Sequence, residues 1–124
     1  MNNKGQSLVS FILLIPIILL ILFMVYDIGN MVLLKIELNN INYLVIDYGL
    51  DKINDSDIDN KLKEMINKNK SDIDNIEINI ANDKINITLE DKLNNSVSLI
   101  KNVVKIKSSY VGSIENGKKK IMKG

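Results

Sequence analysis

Residues 8 to 25 read LVSFILLIPIILLILFMV, with no charge and with Ser10 as the single polar side chain. A helix of about 18 residues at 1.5 Å each is about 27 Å long, close to the ~30 Å hydrocarbon core of a bilayer. A cleaved signal peptide has a shorter apolar region of ~7–15 residues and then a small-residue site of the A-x-A kind. Here the run ends in Val25-Tyr26-Asp27-Ile28-Gly29-Asn30, which offers no such site. The segment is therefore expected to stay as a permanent membrane helix. Lys4 and the terminal amine precede it and Asp27 is the first charge after it. The lysine bias places the N-terminus in the cytoplasm and everything beyond Asp27 outside. Pro16 lacks an N–H and crowds the carbonyl of Ile12, so a kink or a flexible point is expected there.

The chain has 124 residues, so roughly a hundred remain to fold in water, enough for one modest domain. It contains neither cysteine nor histidine. Disulfides, thiol nucleophiles, zinc-type sites and imidazole acid–base chemistry are thereby excluded. A formal charge of +1 argues against a nucleic-acid binder. No GxGxxG or GxxxxGKS run occurs, no pair of carboxylates stands out, and neither catalysis nor a cofactor is expected.

Beyond Gly29 the pattern is helical. Met31, Leu34, Leu38, Ile41, Val45 and Tyr48 recur at alternating three- and four-residue spacings, with Lys35, Glu37, Asn39, Asn42 and Asp47 off the stripe. One helix from about residue 7 to about 50 follows, loosened at Gly29 and ended near Gly49. Its stripe packs on its own domain, on neighbouring copies, or on both. A second helix is expected after Ser56 as N-cap, with Asp57 and Asp59 in the first turn and Ile58, Leu62, Met65 and Ile66 on one face. Asp55, Asp57 and Asp59 also spell D-x-D-x-D, but Asn60 and Ile66 stand where a calcium loop wants glycine and glutamate.

Two alternating runs, Ile76-Ile78-Ile80 and Ile85-Ile87-Leu89, flank Ala81-Asn82-Asp83-Lys84 and predict a hairpin. Val104, Ile106 and Tyr110, opposed by Lys105 and Lys107, predict a third strand. The stretch from Leu93 to Lys101 fits a short helix or a crossover. The last residues, GKKKIMKG, read as a solvated basic tail. The expected class is α+β: a long N-terminal transmembrane helix continuing into a small domain with a second helix and a three-stranded antiparallel sheet.

The ordered set Gly5-Gln6-Ser7-Leu8-Val9-Ser10-Phe11, then four apolar residues and Pro16, resembles the start of the TadE-type pseudopilins. These are minor pilin-like proteins of the tight-adherence, or Flp, pilus system. The likeness covers roughly residues 4 to 50, and the outward helix followed by a small αβ domain is similar too. It implies prepilin-peptidase cleavage between Gly5 and Gln6 on the cytoplasmic face, so that the oily helix is trimmed and reused. The implied layout is a leader at 1–5, a span at 6–26, its continuation at 27–50, a domain at 51–117 and a basic tail at 118–124. The implied partners are the membrane, the prepilin peptidase, other pilin or pseudopilin subunits and the Tad assembly machinery. Ser10, Phe11 and Pro16 would act in membrane assembly. Pilin-like chains usually carry glutamate where Ser10 stands, an acid that pairs with a neighbour's terminal amine. A hydroxyl bonds a helix carbonyl instead, which fits a subunit that starts or caps an assembly. Two other classes fit the residues: a single-pass anchor for an extracytoplasmic binding or sensor module, and a secreted soluble protein.

Overall fold

The computed structural model describes residues 3–93 and 104–124. Helix α1 runs from Asn3 to Asp51, 49 residues without a break, and a helix of that size is about 73 Å long. Helix α2 spans Ile58–Asn69, and four strands follow: β1 (Asn75–Ala81), β2 (Lys84–Lys92), β3 (Lys105–Glu115) and β4 (Lys118–Lys123). They form one antiparallel meander in the order β1-β2-β3-β4.

The α+β class holds, but the sheet has four strands and not three, because the supposed basic tail is β4. Its physical cause is the dipeptide Asn116-Gly117, both residues at positive φ (53° and 76°), which makes a tight two-residue turn. The Asn82-Asp83 turn between β1 and β2 has the same backbone form, with φ of 50° and 61°. The strands there pair through Ala81 and Lys84, so the loop is two residues long. Of the stretch expected as a short helix or crossover, all but Leu93 lies outside the described residues.

Alternation along the strands sets the two faces of the sheet. Ile85, Ile87 and Leu89 of β2 are fully buried, with Ile76, Ile78, Ile80, Ile106, Tyr110 and Ile121 packed around them. The outer half of α1 and the apolar face of α2 cover this side through Leu38, Ile41, Val45, Ile46, Leu50, Ile58, Leu62 and Ile66. Two glycines permit the close approach. A Cβ on Gly112 of β3 would lie 2.2 Å from Cγ2 of Ile46, and one on Gly49 would lie 2.7 Å from Cδ1 of Ile85. Gly49 is thus a packing position in the last turn of α1, which ends at Asp51 as expected, and the helix also runs unbroken through Pro16 and Gly29.

Helix α2 begins without the expected cap. Asp57 and not Ser56 takes the N-cap place, with no side-chain bond to the helix backbone. The three aspartates are each engaged locally. Asp55 accepts from the Asp57 N–H at 3.1 Å and pairs with Lys61; Asp57 accepts from Asn60 at 2.8 Å; Asp59 meets Lys63 at 3.4 Å. The hydrogen bond from Lys61 holds the Asp55 carboxyl below its ordinary range, and the same bond holds the Lys61 ammonium above its own.

Candidate functional site

The inner part of α1 is long and apolar enough to cross a membrane, and none of that stretch is buried inside the protein. Gly5, Gln6, Ser10, Phe11 and Pro16 all lie on this exposed stretch. The Gly5–Gln6 bond sits in the first turn of the helix, with open space around Gly5.

The expected packing stripe divides in two. Leu38, Ile41 and Val45 are buried in the chain's own domain, and Leu34 packs at its edge. Met31 is half-buried, whereas Tyr48 is exposed. The covered face is Leu38, Ile41, Asn42, Val45, Ile46, Gly49 and Leu50, wider than the stripe and rotated away from Tyr48. Asn42, expected off the stripe, is fully buried. Its amide donates to the carbonyls of Ile87 at 2.9 Å and Ser108 at 3.2 Å, which ties α1 to both central strands. That role leaves no trace in an apolar periodicity.

The other side of α1 is uncovered. Ile18, Leu22, Val25, Gly29, Val32, Ile36, Asn40 and Tyr43 fall within one quadrant of a helix with 3.6 residues per turn; Asn40 is the one polar side chain among them, and the six large apolar ones are each about half exposed. This seam passes from the membrane-length stretch onto the outer half, where Leu33 and Leu44 widen it. Asp27 interrupts the apolar run at the junction and is buried.

No family model, curated protein or solved structure matches the chain. Function must therefore be argued from these surfaces.

A second feature lies where β4 runs out alongside β3. Lys123 pairs with Tyr110 as the last rung, and the Gly124 N–H donates to the Ser109 carbonyl at 2.9 Å. A cleft of about 490 Å³ opens here, lined by Lys35 and Asn39 of α1 together with Thr88, Lys107, Ser109, Tyr110, Lys123 and Gly124. Lys35 donates to the Lys107 carbonyl, and the Thr88 and Ser109 hydroxyls are 3.2 Å apart. Sequence reasoning missed this cleft because it assigned the β4 residues to a tail. The Asn-Gly dipeptide at 116–117 was the signal that could have found it.

Proposed function

We propose that the protein is a membrane-anchored assembly subunit: a minor pseudopilin of a Tad/Flp-type pilus or a related secretion apparatus, trimmed by a prepilin peptidase. The observation that carries this reading is the apolar seam from Ile18 to Tyr43, which continues past the membrane-length stretch on the side of α1 that the domain leaves free. Lipid covers such a surface only within the bilayer, and an apolar stripe standing in water marks an interaction face. Packing against a neighbouring subunit's helix, through dispersion contacts and with Gly29 allowing close approach, supplies that cover. The resemblance of Gly5 through Pro16 to the TadE start supplies the family and the cleavage site. In this reading the chain sits once across the cytoplasmic membrane, N-terminus inside and sheet domain outside, and works mechanically, without catalysis.

Intact mass of the protein taken from membranes, with and without a co-expressed cognate prepilin peptidase, tests the reading. A peptidase-dependent product beginning at Gln6 is expected. A chain that begins at Met1 in both samples would sink the pseudopilin assignment. The seam is tested separately by Ile36→Asp, which should abolish cross-links between α1 helices while leaving the domain folded. The second reading is a single-pass anchor for an extracytoplasmic binding module, and the lysine-lined cleft is the observation that favours it.

A further inference from the structure

We propose that the free edge of β1 takes up an extended segment of another protein, in which apolar residues alternate with basic ones. The sheet has two outer strands, and only one is guarded. Lys118, Lys119, Lys120 and Lys123 occupy four of the six positions of β4. Strand β1, Asn-Ile-Glu-Ile-Asn-Ile-Ala, has no lysine, no proline and no bulge, since its seven residues pair one to one with β2. Folded proteins normally blunt such an edge, and an open one is a template for a further strand. The apolar layer is also unfinished there. Helix α1 packs on β2, β3 and β4 but does not reach β1. Ile76, Ile78 and Ile80 are only partly covered, whereas their partners Leu89, Ile87 and Ile85 are fully buried.

The backbone of this edge is open in the same places. In a two-residue hairpin the residues flanking the loop bond to each other, and bonded pairs then recur at every second position. Ala81 and Lys84 flank the Asn82-Asp83 turn, so Asn79, Glu77 and Asn75 also bond to β2. The N–H and C=O groups of Ile76, Ile78 and Ile80 are left pointing out of the sheet, and among the described residues nothing pairs with them. The same count from the Asn116-Gly117 turn reaches Ser109, whose carbonyl does accept from Gly124. An antiparallel strand added to β1 would bond through the residues that stand opposite the isoleucines, on the core side of the sheet, and those side chains must be apolar. Its other side chains would fall on the face that carries Glu77, with Asp72 before β1 and Asp83 after it. These three carboxylates have no ion pair among the described residues, which selects basic residues in the added strand.

A second copy of the chain fits poorly. Helix α1 runs alongside β3, from Asn42 against Ser108 to Ile46 against Gly112, in the direction that β1 shares. Two β1 strands paired antiparallel in one sheet would aim two α1 helices opposite ways, and one membrane cannot receive both from the same side. The inference needs neither the peptidase nor the seam of α1, and its failure leaves both standing.

The test uses the full chain in maltoside micelles and the peptide acetyl-KIKIKIK-amide, read by residue-resolved amide hydrogen exchange. The amides of Ile76, Ile78 and Ile80 should exchange freely without peptide and slow about tenfold at about ten times its Kd. A peptide N-methylated on its isoleucines should give no protection, and one N-methylated on its lysines should protect fully. Glu77→Lys, with an unchanged thermal midpoint, should weaken binding by about threefold or more. Any of four results would overturn the proposal: the three amides protected in dilute protein alone, protection that rises with protein concentration without peptide, protection by the N-methyl-isoleucine peptide, or unchanged binding in Glu77→Lys.

Discussion

Between Leu8 and Val25 every large apolar side chain of α1 is at least 43% exposed, whereas Leu38, Val45 and Ile46 are completely covered. Both stretches belong to one unbroken helix and draw on the same leucines, isoleucines and valines. The difference lies in what stands between the apolar residues. The inner half has no charge over eighteen positions and is long and apolar enough on every side to cross a membrane. In the outer half Lys35, Glu37, Asp47 and Asp51 break the run into faces, and a sheet covers one of them. Hydrophobicity alone therefore does not say which part of α1 belongs to the fold. The two halves should respond independently to substitution.

The largest effect is expected from two neighbouring residues with opposite surroundings. Ile46→Ala removes a fully buried side chain between α1 and the sheet and should cost ~2–5 kcal/mol of domain stability. Leu44→Ala, at a position 46% exposed, should stay within about 0.5 kcal/mol. Denaturant titration in detergent checks both, and equal losses would mean that the covered face has been misplaced.

The glycines give the next contrast. Ala at Gly112 would drive its Cβ to 2.2 Å from Cγ2 of Ile46, a methyl fixed at a β-branch and unable to swing aside. A loss of about 1–3 kcal/mol is expected from the overpacking. Gly29→Ala meets nothing within 4 Å and replaces a poor helix former, so the domain should be unaffected or slightly stabilised. Thermal unfolding of the two variants separates packing glycines from glycines that merely interrupt a pattern.

Asn42 tests what fixes the outer half against the sheet once apolar contact is made. Its amide donors reach Ile87 and Ser108, while its Oδ1 is buried with no hydrogen bond. Asn42→Ala should cost about 1–2 kcal/mol, below the Ile46 value, because the lost donors are offset in part by removing the unbonded oxygen. Amide hydrogen exchange should quicken in β2 and β3 and remain unchanged in the inner half of α1. A loss spread evenly along α1 would show the halves to be coupled.

Period carried most of what was legible in the sequence. The apolar block gave the membrane-length helix, and strict alternation gave β1, β2 and the core side of β3. What escaped depends on single residues whose neighbours are distant in sequence. Gly49 marks the end of α1 to within two residues, but its close packing does not show in the sequence because its contacts, Ile85 and Leu62, come from other elements. Tyr48 reads as part of the packing stripe but lies off the face the domain covers, because a strict three-four stripe does not register how that face is rotated. In the tail, the lysines of KKKIMK outweighed the one turn signal before them. Those lysines suit an edge strand, where charge discourages pairing with another chain.

The smallest expected effect belongs to that strand. Lys119 of β4 reaches Asp51 at 2.7 Å and Asp47 at 3.2 Å, so the start of the edge strand is tied to the end of α1. The hydrogen bond to Asp51 is the main cause holding the Lys119 ammonium above its ordinary 10.5, with Asp47 adding to it. A raised folded value stabilises the protein fully below the unfolded value near 10.5, and that contribution disappears as pH climbs through the folded value. All three side chains are well exposed, so solvent screens the pair and the contribution is small. Lys119→Met keeps most of the stem and removes the charge. At pH 8 it should unfold slightly earlier than wild type, and the gap should close as the pH is taken above about 10.5. A gap that persists in alkali would mean that the loss does not come from the Lys119 charge. The strand would then be held at α1 by something other than this ion pair.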